Sequence, residues 1–355
     1  MAVKFAAHDL SLYAVAHQLP HAQVTNEVLL AALSERCGRL AARKAKSITK
    51  RLGIEGRHLT RDLTQATSTT SPSSIELSQQ VLTRALAQAG LSANDLDYLI
   101  THTCTPHTQV PPNAAWLADV LAYHGPYLEL RQACTGFANG LQIASAFCHA
   151  SQQAVAIVGV ETGSVYFDMD KAFIDTEQLV NYVQMGDGAA ATIVGPKHAN
   201  KAIISDIYLG QVGHQKTPGF YLDSGSKDVG DKHMARFHHN TQAVREQGSQ
   251  LFELGWQALQ SRGYQLDDFA YILPHQANGH IDVLMAQALG ISPQRIVNDA
   301  KQCGNLGSAA IWVSLAKLIH SGKLRHGEKV AILGAEATKY LYGGFVYQHH
   351  EGINI

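Results

Sequence analysis

Asp95-Leu96-Asp97-Tyr98-Leu99-Ile100-Thr101-His102 returns 173 residues later as Asp268-Phe269-Ala270-Tyr271-Ile272-Leu273-Pro274-His275. Both stretches run from an acidic start through apolar residues to a histidine. At the same offset, Ala85-Leu86-Ala87-Gln88-Ala89-Gly90 precedes the first and Ala258-Leu259-Gln260-Ser261-Arg262-Gly263 the second. Further on, Ala154-Val155-Ala156-Ile157-Val158-Gly159-Val160-Glu161 matches Lys329-Val330-Ala331-Ile332-Leu333-Gly334-Ala335-Glu336 at an offset of 175. Between these, Cys134-Thr135-Gly136 falls opposite Asn305-Leu306-Gly307, at an offset of 171. Chance produces single matches of short apolar strings, but not an ordered series at a near-constant spacing. The chain therefore reads as two diverged copies of one unit, residues 1–198 and 199–355.

Each copy reads helix, strand, helix, strand. In the first, Ser71-Pro72 is expected to open a helix, with a capping serine and proline at the first helical position. The stripe Ile75, Val81, Leu82, Ala85, Leu86 and Ala89 continues it, and Gly90 closes it. The runs 154–160 and 330–335 are almost uninterruptedly apolar, as expected of strands covered on both faces. Two such α/β units packed together predict a layered α/β/α/β/α architecture. Residues 200–252 are harder to read, mixing glycine, histidine and charge (Gly225, Lys227, Asp228, Gly230, Asp231, Lys232, His233). They are taken as a strand, a long loop over a pocket, and a helix from about Thr241.

The 355 residues are 46% hydrophobic and 16% charged, enough for two core-bearing halves. No apolar run approaches the ~20 residues of a membrane helix, and the N-terminus lacks the apolar stretch of a secretory signal. Five cysteines without Cys-x-x-Cys spacing point to a reduced cytoplasm rather than a disulfide framework. The net charge of −1 argues against general nucleic-acid binding. Charge is nevertheless uneven. Nine basic residues and one acid lie between Arg36 and Arg61, either a solvated helix face or a landing surface for an acidic protein or coenzyme A phosphates. The nineteen histidines show no paired metal-ligand spacing with a third ligand, so no metal is expected.

Three motifs carry chemistry. Cys134, in Ala133-Cys134-Thr135-Gly136-Phe137, lies where the strand-like Tyr127-Leu128-Glu129-Leu130 gives way to a helix with a stripe at Phe137, Leu141, Ala144 and Phe147. A cysteine at a helix N-terminus meets unpaired N–H groups and the positive end of the dipole. Both favour thiolate, so an activated nucleophile is expected there. His275 ends its strand in Leu273-Pro274-His275-Gln276-Ala277-Asn278, and Asn305 precedes a helix in Cys303-Gly304-Asn305-Leu306-Gly307-Ser308-Ala309-Ala310. Gly186-Asp187-Gly188 reads as a tight turn into a strand. Each has an ordinary structural explanation: a buried thiol, a satisfied strand-end histidine, a helix cap, a turn.

In this order, however, the motifs resemble the β-ketoacyl-[acyl-carrier-protein] synthase III family of thiolase-fold condensing enzymes, from about Thr25 to Tyr347. The resemblance implies a thiolase fold and a homodimer. It implies acyl transfer from a thioester to Cys134, then decarboxylative condensation with a malonyl- or β-ketoacyl-carrier protein. His275 and Asn305 would donate to the enolate oxygen. The backbone N–H groups of Cys134 and of about Thr338 would form the oxyanion hole. The substrates would be phosphopantetheine thioesters on carrier protein or coenzyme A, with no further cofactor. Gly186-Asp187-Gly188 would be structural, beside the pocket.

The chain also departs from that family. Ala337-Thr338-Lys339 replaces a run of three glycines, and Glu336 stands at a usually apolar position. Glu336 and its repeat mate Glu161 are thus candidate pocket carboxylates, and Glu336 a candidate base for a cyclisation. Val110, in Val110-Pro111-Pro112, replaces an aromatic pocket residue. Arg51, Arg57 and Asn278 match carrier- or coenzyme-binding positions, whereas His280 replaces an arginine and Ser47 a tryptophan. These changes suggest a specialised-metabolism branch. The rival readings are a ketosynthase/cyclase, an acyltransferase that does not condense, a cysteine hydrolase using Cys134 and His275, and a non-catalytic partner subunit.

Overall fold

A computed structural model describes residues 3–21, 23–65, 71–226 and 234–351; Lys227, Asp228, Gly230, Asp231, Lys232 and His233 lie outside them. The duplication is visible in the strand order. In the first half, Tyr127–Leu130 pairs parallel with Leu96–His102, which pairs parallel with Ala154–Glu161. The array continues antiparallel through Gly188–Pro196 to Leu10–Gln18. In the second half, Tyr271–Pro274 pairs parallel with Lys329–Glu336, followed antiparallel by Leu341–Gln348 and Ala202–Gln211. A single bridge from Ile296 to Ile272 takes the place of the first half's outermost strand. The arrays join where Leu10–Leu12 pairs with Ala202–Ile204, giving one hydrogen-bonded order of nine strands among the described residues. The 198/199 division falls in the turn before Ala202–Gln211, while Lys4–Phe5 crosses to pair with that strand.

The layers follow from which way alternate residues point. Along Ala154–Glu161, Val155 and Ile157 enter one core, and Ala154, Ala156, Val158 and Val160 another. Along Lys329–Glu336, Val330 and Ile332 enter that same first core, and Ala331, Leu333 and Ala335 a third. The shared core is filled by the helices Gly136–Ser151 and Ala310–His320, with Phe137 set edge-on against Trp312 and Phe345. Helix Ser74–Ala89 covers the outer face of the first array, and helix Thr241–Gln260 that of the second. This is the expected α/β/α/β/α order. Strands buried on both faces have no polar side to display, hence their continuous apolar sequence.

The helix start is corrected by two residues. Helix Ser74–Ala89 is capped by Ser73, whose side chain accepts from Glu76 N–H while the Glu76 carboxylate accepts from Ser73 N–H. That reciprocal pair satisfies two end groups, which Ser71-Pro72 cannot do from outside the helix. Gly90 closes the helix at φ 70°. In the unread segment, the strand Ala202–Gln211 leads to the hairpin Phe220–Leu222 with Phe237–His239, and the helix begins at Thr241 as expected. No helix among the described residues is long and apolar enough to cross a membrane.

Candidate active site

The parallel strands of each half end at the junction between the halves and deliver their terminal residues there. Cys134 lies on the turn from strand Tyr127–Leu130 into helix Gly136–Ser151. His275 follows strand Tyr271–Pro274, and its N–H donates to Leu333 O at 2.8 Å. Asn305 is clamped by its backbone: its N–H donates to Gln184 O at 2.7 Å, and its carbonyl accepts from Gly186 N–H at 3.0 Å. All three line one cavity of about 280 Å³. Most of the remaining wall is apolar, including Phe220, Phe237, Leu251, Phe252 and Ile281. The stretch 200–252, read as a loop over a pocket, supplies much of this wall.

Side-chain orientation follows from hydrogen bonding. The Asn305 amide oxygen accepts from Gly307 N–H at 3.0 Å, which leaves its NH₂ group free to donate. His275 is 5% exposed, and burial lowers its pKa to about 4, so the ring is neutral near pH 7. Its Nδ1 is buried without a partner among the described residues. A lone pair is left unpaired there at lower cost than an N–H, so the favoured tautomer carries its proton on Nε2. The cavity is thus lined by two neutral groups able to donate, His275 and Asn305.

The neighbouring residues brace this arrangement. Gln276 donates to Ser314 Oγ at 3.0 Å and accepts from the N–H groups of Asp299 and Ala300, fixing the segment that leads to Asn305. Gly186 backs the same segment: a Cβ there would stand 2.0 Å from Cys303 O. Asp187, fully buried, accepts from Thr60 and Ser164 through both backbone and hydroxyl groups. His102, the repeat mate of His275, is buried under the nucleophile turn and accepts from Trp312 Nε1–H at 3.3 Å. A Cβ on Gly136 would meet its ring at 2.5 Å.

The expectation of a resting thiolate is corrected. The pKa of Cys134 lies well above the usual thiol range because of burial, then the charges of Glu336 and Glu161; its own backbone N–H acts weakly the other way. The N-cap residue of the helix already holds a carboxylate. Glu336 accepts from Thr135 N–H at 2.9 Å and from Thr135 Oγ1 at 2.7 Å. Its other oxygen accepts from the Thr338 hydroxyl. Glu336 is 2% exposed and is not among the cavity-lining residues, so its place as a pocket base is also corrected: its oxygens are held by the turn. Glu161 does line the cavity, but accepts from Thr103, Cys104 N–H, Thr105 and Ser308.

The remaining candidates divide. Thr338 and Asn278 line the cavity. Val110 does not; it is 83% exposed on the surface. Arg57 is corrected outright: it is fully buried, and its guanidinium donates to Val24 O, Asn26 Oδ1 and Val183 O, so a carrier or coenzyme cannot reach it. Arg51 is exposed beside a second surface pocket that includes His238 and Asn240. His280 is exposed and stacks against Gly53 at the end of helix Arg39–Leu52. Among the cavity residues that went unnoticed in the sequence are Cys104 and Arg245. Cys104 lay in an unpatterned loop, and Arg245 in the segment without a readable motif. Among the described residues no cluster suits a metal ion.

Comparison with known proteins places the chain. Two family models match, described as 3-oxoacyl-[acyl-carrier-protein] synthase III over residues 128–213 and as the C-terminal part of that synthase over 259–348. The first spans Cys134; the second spans His275, Asn305 and Glu336. The β-ketoacyl-[acyl-carrier-protein] synthase III of Chlorobium chlorochromatii is 26% identical over 84% of this chain and 88% of its own. A solved tetronic acid condensing enzyme superposes with a TM-score of 0.82 at 24% identity, covering 96% of this chain and 100% of the other. The solved 3-oxoacyl-(acyl carrier protein) synthase III of Pseudomonas aeruginosa PAO1 gives 0.78 at 24%, covering 97% and 99%. With both halves of the site inside the matched segments and the same fold around them, the chain belongs to the β-ketoacyl-[acyl-carrier-protein] synthase III family of thiolase-fold condensing enzymes.

Proposed function

We propose that the chain takes an acyl group from a phosphopantetheine thioester onto Cys134 and condenses it with a malonyl- or β-ketoacyl-carrier protein, releasing CO₂ when the extender is malonyl. The observation that carries this is the meeting of Cys134, His275 and Asn305 in one largely apolar cavity, the first from one half of the chain and the others from the second. In the first step the Cys134 sulfur attacks the thioester carbonyl, and its proton ends on the departing pantetheine sulfur. The backbone N–H groups of Cys134 and Thr338 take the role of oxyanion donors. In the second step decarboxylation leaves negative charge on the extender's thioester oxygen. His275 Nε2–H and the Asn305 NH₂ donate to it, and the resulting carbon nucleophile attacks the acyl-Cys134 carbonyl, breaking the C–S bond so that the Cys134 sulfur leaves and takes up a proton to return as the thiol. Neutral donors suit this step, because they stabilise the enolate without protonating it outright.

An acidic carrier protein is the proposed donor partner, supported by the exposed basic side of helix Arg39–Leu52, with Arg39, Arg43, Lys44, Lys46, Lys50 and Arg51. Arg51, Asn278 and His280 are the proposed contacts for the carrier arm. A homodimer is proposed from the open edge of strand Tyr127–Leu130 and the exposed Val110 and Val120. Five free cysteines suit a reducing cytoplasm.

Incubation with a panel of acyl thioesters, read by intact-protein and peptide mass spectrometry, tests the first step. Acyl label is expected on Cys134 and is expected to vanish in Cys134→Ala. A wild-type chain that stays unlabelled across the panel, or carries its label elsewhere, overturns the proposal.

A further inference from the structure

The two halves exchange carboxylates. Glu336 ends the inner strand of the second half, yet it holds the first turn of the first half's helix through Thr135 N–H and Oγ1. Glu161 ends the inner strand of the first half, yet it holds the second half's Ser308 through N–H at 3.1 Å and Oγ at 2.8 Å. Thr135 and Ser308 are themselves 173 residues apart, the repeat offset. Each glutamate therefore caps the element that carries the other half's candidate catalytic residue. Glu161 does so three residues beyond Asn305, while Glu336 does so at the residue immediately after Cys134.

That difference sets the electrostatics of the sulfur. A helix N-terminus presents the equivalent of roughly half a positive charge. Glu336 bonds the Thr135 N–H and hydroxyl at that turn, one residue from Cys134, and its charge raises the Cys134 pKa, second only to burial. That charge works against the dipole. Other groups around the thiol do not reverse the sign: Glu161 comes from the first half's inner strand, Cys104 from the loop after Leu96–His102, and His275, neutral, from the second half. Arg245, a cation on helix Thr241–Gln260, lines the cavity but is solvent-exposed. The Thr338 hydroxyl shares the Glu336 charge from the other side.

We propose that Glu336 is a positioning residue that holds Cys134 as a thiol at rest, so that the sulfur gives up its proton only with a thioester in place. This rests on Cys134 being the acylated group. Its test reads the sulfur directly, without any acyl donor, and so can fail while acylation succeeds, or the reverse. Cys134 alkylation by iodoacetamide is followed against pH by peptide mass spectrometry on the full chain. Glu336→Gln keeps the shape and removes the charge. It is expected to move the alkylation midpoint to lower pH and to raise the rate near pH 7.5 about tenfold, one pKa unit's worth. Thr338→Ala removes a donor that tempers the charge and is expected to act oppositely, slowing alkylation. It also keeps the proposal testable should Glu336→Gln fail to fold. Unchanged midpoints in the folded variants, or a slower Glu336→Gln, overturn the proposal.

Discussion

Asn305 and His275 illustrate what a single side chain contributes once its surroundings are fixed. The Asn305 amide can point only one way, because Gly307 N–H occupies its oxygen. Replacing it by alanine removes an NH₂ donor from the cavity and leaves the clamped backbone intact. Losing one preorganised donor costs about 10²–10³-fold in the step it serves. Asn305→Ala is therefore expected to acylate at Cys134 at close to the wild-type rate and to lose condensation by that factor. Single-turnover acylation and CO₂ release, measured separately, check this; an equal loss in both would remove Asn305 from the second step. His275 adds a pH signature. Burial holds its pKa near 4, so the imidazole remains neutral as the pH falls through the ordinary histidine range. Condensation assayed on pre-acylated protein should keep its rate down to about pH 5. An acid limb centred near 6.5 would show a solvated ring instead.

At the scale of elements, caps and turns rather than apolar stripes decide where the site sits. Ser73 and Glu76 form a closed pair at the start of helix Ser74–Ala89, the main cover of the first array's outer face. Ser73→Ala is expected to cost about 1 kcal/mol of stability. Ser71→Ala, one turn outside the helix, should cost nearly nothing, and urea unfolding of the two variants separates the cases. The stripe Ile75 to Ala89 and the Gly90 stop were legible because a helix's periodicity and its left-handed C-terminal glycine are written locally. The start was misread by two residues because Ser71 and Ser73 are equal candidates in sequence, and only the reach of the Glu76 side chain distinguishes them. The hairpin Phe220–Leu222 with Phe237–His239 gave no period to read, since three-residue strands are too short to show one.

The whole molecule carries an electrostatic load from its buried groups. Burial lowers the pKa of His17, His102, His239 and His275 to about 4, from an ordinary 6.5. Their unfolded forms bind protons between pH 6.5 and 4 and their folded forms do not, so stability falls as the pH drops through that window. For a fully buried ring such as His102 or His275 the loss by pH 5 is on the order of 2 kcal/mol. Burial raises the pKa of Glu161 and Asp187, which acts in the opposite sense, since their folded forms hold protons more tightly. His320 and His349, also lowered by burial, add to the histidine side of this balance. The thermal midpoint should fall between pH 7 and pH 5, with no bound ligand needed, and a flat or rising midpoint by calorimetry would contradict this balance.

The sequence by itself determined the duplication, the inner strands and the two central helices, because periodicity and apolar runs record how each short segment divides between water and core, while Cys134, His275 and Asn305 stood out through the resemblance of their motifs to those of the synthase III family. Only the tertiary structure decided the charges around the sulfur. Thr135 and Glu336 meet across 201 residues of chain, Arg57 turned out to be fully enclosed, and Val110 stayed in solvent. Those outcomes depend on which distant groups the two halves bring within a few ångströms, and electrostatic interaction follows distance in space, not position along the chain.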